Sequence, residues 1–338
     1  MQVLVTGGAG FIGSHYVRSL LAGAYPAYAD ADVVVLDLLT YAGTLTNLAE
    51  CAADPRLHFV RGDIRDPGVV AEVMAGTDVV VHFAAESHVD RSIAGAADFV
   101  STNVVGTQVL LQAALDRGVS RFVHVSTDEV YGSIDDGAWP ETHPLEPNSP
   151  YSASKAAADL LARAYRVTHG YPITVTRTSN TFGPYHHPEK VIPLFITNLL
   201  CGEPVPVYGT GENVRDWTYV LDNVRAQWLV LTRGQPGDIY NIGAGNELSN
   251  LELTYRLLDL FGAGDEMIRH VTDRPGHDLR YSIDATRIRA LGWDPEHDFG
   301  NALAATVEWY RANNWWWRPL RAAGASRRQG LVTASATV

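Results

Sequence analysis

The chain contains only two lysines, Lys155 and Lys190, and its other permanently basic side chains are all arginines. Lys155 follows Tyr151 by four residues, a spacing that places both side chains on one face of a helix. An ammonium beside a phenol stabilises the phenolate and lowers the pKa of the tyrosine, so the pair predicts a proton acceptor that works near neutral pH. Because Tyr-x-x-x-Lys is short, an exposed helix pair without chemistry is the alternative interpretation.

A glycine-rich turn follows the first predicted strand, Gln2–Thr6, and opens a helical pattern. The turn fits G-x-G-x-x-G through Gly8, Gly10 and Gly13, and it also fits the variant that begins at Gly7. Glycines let the backbone approach a pyrophosphate, whose charge then meets the free N–H groups of the helix start. The order of strand, turn and helix therefore predicts a dinucleotide-binding site.

The second predicted strand, residues 32–36, ends in an acid, Asp37. An acid at this position is expected to hold a ribose 2′-hydroxyl. Because the same carboxylate would repel a 2′-phosphate, the sequence favours NAD over NADP.

Two adjacent acids, Asp128 and Glu129, follow a predicted buried strand at residues 121–126. Most Asp-Glu pairs are surface charge, but doubly wound sheets place their sites at the carboxyl ends of strands. This placement favours a catalytic pair, with one carboxyl as a base and the other as an acid.

Composition limits the class of protein. The formal net charge is −12, which argues against general nucleic-acid or membrane binding because such proteins usually carry a basic surface. Cys51 and Cys201 form no disulfide framework or metal-ligand spacing, so a reducing cytoplasm is expected. The short apolar N-terminus is not a signal peptide, and no apolar stretch is long enough to span a bilayer.

Predicted strands and helices alternate through the first part of the chain, which indicates an α/β fold with a doubly wound parallel (Rossmann) sheet. A smaller, mixed α/β C-terminal lobe for the substrate should follow, because proline and glycine interrupt the sequence after about residue 180. We expect an NAD-binding domain at 1–180, rejoined by about 218–243, a substrate lobe at 181–320, and a disordered tail at 321–338. The predicted elements are strands at 2–6, 32–36, 57–60, 78–83, 121–126, 173–177 and 239–242, and helices at 99–114 and 151–169.

These features together resemble the extended short-chain dehydrogenase/reductase family, and the resemblance covers everything before the tail. Within the family, Thr127-Asp128-Glu129 resembles the sugar-nucleotide 4,6-dehydratases, because epimerases and decarboxylases typically lack one or both acids. Valine at 191 is a conservative departure, since leucine is commoner there. Further matching segments are 84–90, 126–132, 177–180, 189–193, 215–217 and 273–278.

The resemblance implies dehydration of the nucleotide sugar dTDP-glucose, with a tightly bound NAD that is regenerated in each turnover. The implied catalytic residues are Thr127, Asp128, Glu129, Tyr151 and Lys155. Glu129 would act as the base of the elimination and Asp128 as its acid. The implied cofactor-binding residues are Gly7, Gly10, Phe11, Ile12, Gly13, Asp37, Leu38, Thr40, Asp63, Ile64, Ala84, Ala85, Ser87, Thr102, Tyr151, Lys155 and Asn180. The implied substrate-binding residues are Ser87, His88, Thr127, Asn180, Glu189, Lys190, Val191, Pro206, Tyr208, Arg215, Asn250, Arg274, His277 and Tyr281.

Several alternatives stay open at this point. Another sugar-nucleotide enzyme of the same fold, an epimerase or a decarboxylase, is the nearest, and a non-catalytic NAD sensor is more remote because fold alone does not fix function. His186 and His187 lack a third ligand at a recognised spacing, so no metal is expected. The aromatic run 315–317 is expected to pack a last helix. The family resemblance also implies a homodimer formed by two helices of the large domain.

Overall fold

A computed structural model of the protein describes the backbone of residues 1–335 and the side chains of residues 1–324. The chain forms two compact units. The larger unit consists of Met1–Thr181, Asn213–Glu247 and Arg274–Glu296, and the smaller unit consists of Phe182–Glu212, Leu248–Asp273 and the chain from His297 onward.

Strands and helices alternate along most of the described chain, as the sequence predicts. The strands are β1 (Gln2–Thr6), β2 (Asp32–Asp37), β3 (Leu57–Arg61), β4 (Val79–His82), β5 (Arg121–Thr127), β6 (Ile173–Thr178), β7 (Asn180–Phe182), β8 (Val205–Tyr208), β9 (Val214–Tyr219), β10 (Ile239–Ile242), β11 (Glu247–Ser249) and β12 (Ile268–Val271). The helices are α1 (Phe11–Leu21), α2 (Pro67–Val73), α3 (Val89–Ala94), α4 (Ala97–Phe99), α5 (Thr107–Arg117), α6 (Pro150–His169), α7 (Val191–Leu200), α8 (Val220–Arg233), α9 (Asn250–Phe261), α10 (Thr286–Ala290), α11 (Phe299–Ala312) and α12 (Asn314–Ser335).

The larger unit is built on a seven-stranded sheet in the order β3-β2-β1-β4-β5-β6-β10, with all neighbours parallel. Such strands are buried on both faces and read as continuous apolar runs. On β1, for example, Val3 and Val5 pack into one core with Val17 of α1, while Leu4 packs into the opposite core with Leu110 of α5. The strand order reverses between β1 and β4, which creates the crevice where doubly wound sheets bind ligands. The predicted Rossmann fold is confirmed.

Local sequence signals fix both ends of α6, the helix that carries Tyr151 and Lys155. Ser149 caps its start by accepting a hydrogen bond from the backbone N–H of Ser152, and Pro150 occupies the first turn. Gly170 ends the helix in the left-handed conformation, with a φ of 65°. The predicted helix 151–169 agrees with these bounds.

The predicted helix at 99–114 takes a different form. The segment Val100–Gly106 is a π-helix that joins α4 to α5. A π-helical turn widens the helix locally and is frequent at functional sites.

The smaller unit contains the parallel pair β8 and β12, together with α7, α9 and α11. The larger unit also includes Arg274–Glu296, which the sequence assigns to the substrate lobe. The backbone N–H groups of Ile134 and Trp139 donate hydrogen bonds to the backbone oxygens of Arg280 and Ser282 in this segment. The last described helix, α12, runs through much of the 321–338 range for which the sequence predicts disorder, and residues 336–338 lie outside the described residues.

Candidate active site

The glycine turn after β1 fits the pyrophosphate of a dinucleotide because side chains are excluded from it. Gly7 has a φ of +70°, and a Cβ there would lie 2.6 Å from the backbone nitrogen of Ala84. A Cβ on Gly13 would collide with the carbonyl oxygen of Gly7. The turn leads into α1, which begins at Phe11 with Gly10 as its N-cap and has no side-chain cap. Its first N–H groups therefore suit an anionic ligand.

Asp37 ends β2 beside this turn. Its carboxylate accepts hydrogen bonds from the backbone N–H groups of Ala9 at 3.0 Å and Leu39 at 2.8 Å. Burial raises the pKa of this carboxyl, and the two hydrogen bonds oppose the shift. The acid therefore stands where the sequence predicts a ribose contact.

Most of the other implied cofactor positions lie just after strand ends, and one lies within the π-helical segment. Asp63 lies after β3, and the neighbouring Arg65 lowers the pKa of its carboxyl through a 2.6 Å ion pair. Ala84 lies after β4 against Gly7, and Thr102 lies in the π-helical segment. The remaining members of this set are Ile12 on α1, Leu38 and Thr40 after β2, Ile64 after Asp63, and Ala85 and Ser87 after β4.

Tyr151 and Lys155 are both buried on α6. The Lys155 ammonium donates a hydrogen bond to the backbone oxygen of Val125 on β5, with an Nζ to O distance of 2.8 Å. Burial lowers the pKa of Lys155 to about 8. The lysine thus titrates close to the physiological range.

The pKa of the Tyr151 phenol is raised in this structure. Burial is the main cause, the charge of Glu129 raises it further, and a hydrogen bond with Thr127 opposes the shift. The expectation that the phenol has a lowered pKa is therefore wrong. Carboxylates that lie far from Tyr151 in sequence are brought beside it by the fold.

The end of β5 brings three predicted catalytic side chains together. Thr127 caps the short 3₁₀ turn Asp128–Tyr131, and its hydroxyl lies 3.2 Å from Oδ1 of Asp128. Asp128 is only 3 % exposed, whereas Glu129 is half-buried. The Thr127 interaction with Tyr151 links this turn to α6.

Asp128 has the surroundings of a proton donor. Burial raises the pKa of its carboxyl well above the usual value, and the nearby carboxylates of Glu129 and Asp216 raise it further. Among the described residues, its Oδ2 atom has no hydrogen-bond partner. The geometry therefore suits a protonated carboxyl whose second oxygen is available to a ligand.

A second polar cluster in the same unit contains Arg215, Asp278 and Tyr281. The Arg215 guanidinium lies 4.2 Å from the centroid of the Tyr281 ring and donates to the backbone oxygen of Asp278 at 2.9 Å. The Asp278 carboxylate accepts from the Tyr281 hydroxyl and from Asn148. Burial first, and then the charge of Glu129, raise the pKa of Tyr281. This cluster therefore lies within electrostatic reach of the two acids.

The remaining implied substrate positions of the larger unit vary in their surroundings. Asn180 begins β7, and its Oδ1 is buried without a hydrogen-bond partner in the described part of the chain. Arg274 lies 3.5 Å from Asp90. His88 is the N-cap of α3, and His277 lies in the loop after Arg274.

The smaller unit carries the other implied substrate residues. Lys190 is the N-cap of α7, between Glu189 and Val191. Pro206 and Tyr208 lie on β8, and Asn250 is the first residue of α9. Most of these positions therefore lie at the start of a helix or on a strand.

Sequence reasoning missed a buried charged cluster behind Lys155. Asp159 pairs with Arg177 of β6 at 2.9 Å and lies 3.3 Å from Nε2 of His124 on β5. The spacing of Asp159 from Lys155, again four residues on α6, was the available signal. Asp216 was also missed as a neighbour of Asp128, although it lies in the family-like tripeptide 215–217.

Other sequence expectations concern metals, membranes and aromatic packing. No cluster of three or more His, Cys, Asp or Glu residues in the described chain could hold a metal ion. None of the described helices is both long and apolar enough to cross a membrane. Trp316 and Trp317 are buried as predicted, whereas Trp315 is 54 % exposed.

The fold, the glycine turn and the Tyr-Lys helix define an extended short-chain dehydrogenase/reductase. The chain belongs to the family described as GDP-mannose 4,6 dehydratase, whose sequence profile matches residues 4–306.

Similar proteins include a dTDP-glucose 4,6-dehydratase from Streptomyces niveus, which is 57% identical over 322 residues, covering 95% of this chain and 96% of the relative. A similar fold is found in the crystal structure of DesIV, a dTDP-glucose 4,6-dehydratase from Streptomyces venezuelae with NAD and TYD bound. The two structures superpose with a TM-score of 0.94, and the two sequences are 61% identical. The match covers 95% of this chain and 100% of DesIV. A UDP-glucose 4-epimerase from Thermus thermophilus in complex with NAD is 32% identical with a TM-score of 0.84, covering 93% of this chain and 100% of the other. The sequence-based family assignment is confirmed.

Proposed function

We propose that the protein is a dTDP-glucose 4,6-dehydratase that forms dTDP-4-dehydro-6-deoxy-D-glucose. The observation that carries this assignment is the buried acid Asp128 next to the half-buried Glu129, directly after β5 and beside Tyr151. The sequence predicts the same activity, and the names of the similar proteins agree with it. The reaction is an elimination of water with no net oxidation.

In the first step, Tyr151 acts as a phenolate and takes the proton of the sugar C4 hydroxyl. Thr127 lies beside the phenol and orients the same oxygen by a hydrogen bond. The Lys155 ammonium, one helical turn away, favours the phenolate. When bound, NAD would supply the redox chemistry, in which hydride leaves C4 and returns to C6 while C5 regains a proton. The glycine turn and Asp37 fit this cofactor.

The C4 ketone makes the neighbouring C5–H acidic, and water is then eliminated across C5 and C6. We assign Glu129 as the base that removes the C5 proton. Asp128 donates its proton to the C6 hydroxyl, which leaves as water. The raised pKa of Asp128 supports this division, because the shift favours the protonated carboxyl that a general acid needs.

The substrate diphosphate needs cations, and we assign this role to Lys190, Arg215 and Arg274. The other proposed substrate contacts are those implied by the resemblance: Ser87, His88, Asn180, Glu189, Val191, Pro206, Tyr208, Asn250, His277 and Tyr281. The buried Oδ1 of Asn180, which has no partner among the described residues, supports its place in this set.

An epimerase of the same fold would require only the oxidation and return of hydride at C4. The acid pair at 128–129 would have no task in such a reaction, so it favours the dehydratase. A non-catalytic NAD sensor would have no use for Tyr151 or Lys155, and the chain retains both.

The test is to incubate the purified protein with a panel of nucleotide-linked glucoses and to measure products by mass spectrometry. We expect dTDP-glucose to lose one water without added NAD. A product of unchanged mass with an inverted C4 would establish an epimerase instead. NAD should appear in the supernatant when the purified protein is denatured, because a regenerated cofactor has no need to leave. Recovery of NADP would contradict the assignment of Asp37.

The homodimer and the cytoplasmic location are also proposals. Leu160 and Val167 are 55% and 69% exposed on one face of α6, which supports contact with a second subunit. Light scattering after size-exclusion chromatography measures the mass, and a monomer at micromolar concentration would contradict the dimer.

A further inference from the structure

A cluster of buried charges lies behind the proposed proton acceptor. Lys155 and Asp159 are 4 % and 3 % exposed, and they lie one helical turn apart on the same face of α6. A buried lysine ordinarily loses its proton because a low-dielectric environment disfavours the charged form. Keeping the ammonium therefore requires a nearby negative charge.

Asp159 is fixed by contacts from two strands. Nε of Arg177 on β6 donates to its Oδ2 at 2.9 Å, and Nε2 of His124 on β5 lies 3.3 Å from its Oδ1. Arg177 is itself anchored, since it donates to the hydroxyl of Tyr131 at 2.7 Å. The carboxylate thus has a fixed position between α6 and strands β5 and β6.

The negative charge of Asp159 acts on Lys155 as well as on Arg177. Burial lowers the pKa of His124, so this ring is neutral at physiological pH. Arg177 is a cation and Asp159 an anion, and the negative charge of Asp159 opposes the effect of burial on the pKa of Lys155. The other titratable groups that face Lys155 or Asp159 are Tyr151 on α6, His82 on β4, and Tyr131 after β5.

We propose that Asp159 is a positioning residue that keeps Lys155 a cation beside Tyr151. The need for this charge follows from the site itself, because burial and the carboxylate of Glu129 disfavour the Tyr151 phenolate. Asp159 contacts Arg177 and His124, and we infer that it acts on the reaction through Lys155. The inference rests on the proposed roles of Tyr151 and Lys155.

The scarcity of lysine makes the charge of Lys155 directly measurable. Protein labelled with ¹³C at lysine Cε should give two signals, one for each lysine, and Lys190→Arg identifies the second. In the wild type we expect the Lys155 signal to titrate near pH 8. In Asp159→Asn the midpoint should fall by at least ~1 pH unit, since a nearby opposite charge shifts a pKa by about 1–3 units.

His124→Gln is the matched control, because it alters the same buried contact without removing a charge. Its midpoint should stay within about 0.3 pH units of the wild type, well below the shift that loss of an opposite charge causes. An unchanged midpoint in folded Asp159→Asn, or an equal shift in both variants, overturns the proposal. If Asp159→Asn does not fold, the titration midpoint of the Lys155 signal in the wild type decides. A midpoint below about 7 would mean that no carboxylate sustains the charge, since uncompensated buried lysines titrate near 5–6.

The activity profile separates this inference from the proposed function. In Asp159→Asn the alkaline limb of the cofactor-reduction rate should move to lower pH, because Lys155 loses its proton earlier. In His124→Gln the alkaline limb of the cofactor-reduction rate should stay at the same pH as in the wild type. A moved NMR midpoint with an unmoved limb supports the charge inference and counts against the assigned role of Lys155 in the reaction.

Discussion

Asp128 and Glu129 are adjacent in sequence but occupy different surroundings, since Asp128 is 3 % exposed and Glu129 is half-buried. The difference arises because β5 ends at Thr127 and the following 3₁₀ turn directs successive side chains apart. Two carboxyls of similar intrinsic acidity can thereby hold different protonation states. This separation is what an elimination that needs one base and one acid requires.

The two acids should act after the sugar has been oxidised. In Asp128→Asn and Glu129→Gln we expect elimination to slow by roughly 10²–10⁴-fold, the usual contribution of a general acid or base. Initial oxidation should change less, so the absorbance of reduced cofactor should build up in a stopped-flow trace. If neither variant ever reduces the cofactor, the two acids serve oxidation and the assignment fails.

The glycine turn should tolerate no side chain at position 13. In Gly13→Ala the new methyl group meets the Gly7 carbonyl, and overpacking of this kind typically costs about 1–3 kcal/mol. We expect roughly 5- to 150-fold weaker NAD binding, measured by titration calorimetry on cofactor-free protein. Gly95→Ala is the control, because a Cβ there has no atom within 4 Å. Equal affinities of the two variants would contradict the pyrophosphate site.

The Asp159–Arg177 pair should make the stability of the fold depend on pH. Burial raises the pKa of Asp159, but hydrogen bonding from His124 and the charge of Arg177 hold it below its usual value. In the wild type this stabilisation is present above the unfolded pKa of about 3.9 and is lost as pH falls through the lower folded value.

Arg177→Gln should cost about 3–5 kcal/mol in the free energy of unfolding at a pH of about 7.5, because it leaves a buried carboxylate without its cation. Protonation of Asp159 removes that penalty, so the difference from the wild type should narrow toward a pH of about 5. Urea unfolding at both pH values measures it. Arg289→Gln, which breaks an exposed 2.6 Å pair with Asp294, should change stability by less than about 1 kcal/mol. If the difference in free energy of unfolding between Arg177→Gln and the wild type instead grows on acidification, the predicted direction of the pH dependence is wrong.

Apolar periodicity predicted the large sheet well, because buried parallel strands such as β2 and β4 contain short continuous runs of apolar, mostly β-branched residues. The return of Arg274–Glu296 to the larger unit was not predictable in this way. The segment is attached through isolated bridges, including Val214 to Arg280, and it has no apolar run of its own.

The site was predictable where its chemistry lies in local motifs, as in the glycine turn and the tyrosine-lysine spacing. The direction of the Tyr151 pKa was not, because burial and the approach of Glu129 from another element raise it. The partners of Asp159 were hidden for the same reason. His124 and Arg177 come from two strands that only the sheet brings beside α6.

Lys155 should not be replaceable by arginine. The side chain is 4 % exposed and its ammonium is 2.8 Å from the Val125 carbonyl, so the wider, planar guanidinium of arginine would have to displace its buried neighbours. We expect Lys155→Arg to lose nearly as much turnover as Lys155→Met, at least ~100-fold, with an unchanged circular dichroism spectrum. Near-normal turnover in Lys155→Arg would mean that any positive charge suffices and that the scarcity of lysine reflects composition alone.

The hydride that leaves C4 should arrive at C6 of the same sugar molecule. The dehydrated intermediate would be an unsaturated ketone whose C6 is electrophilic, and a retained cofactor would hold the hydride just removed. We therefore expect a mixture of unlabelled substrate and substrate deuterated at C4 and at both C6 positions to give products with either no deuterium or three. Mass spectrometry of the products distinguishes these from crossover species. Products that carry one or two deuteriums would show that the reduced cofactor or the intermediate escapes between steps, and a product that keeps its 6-hydroxyl would establish the epimerase.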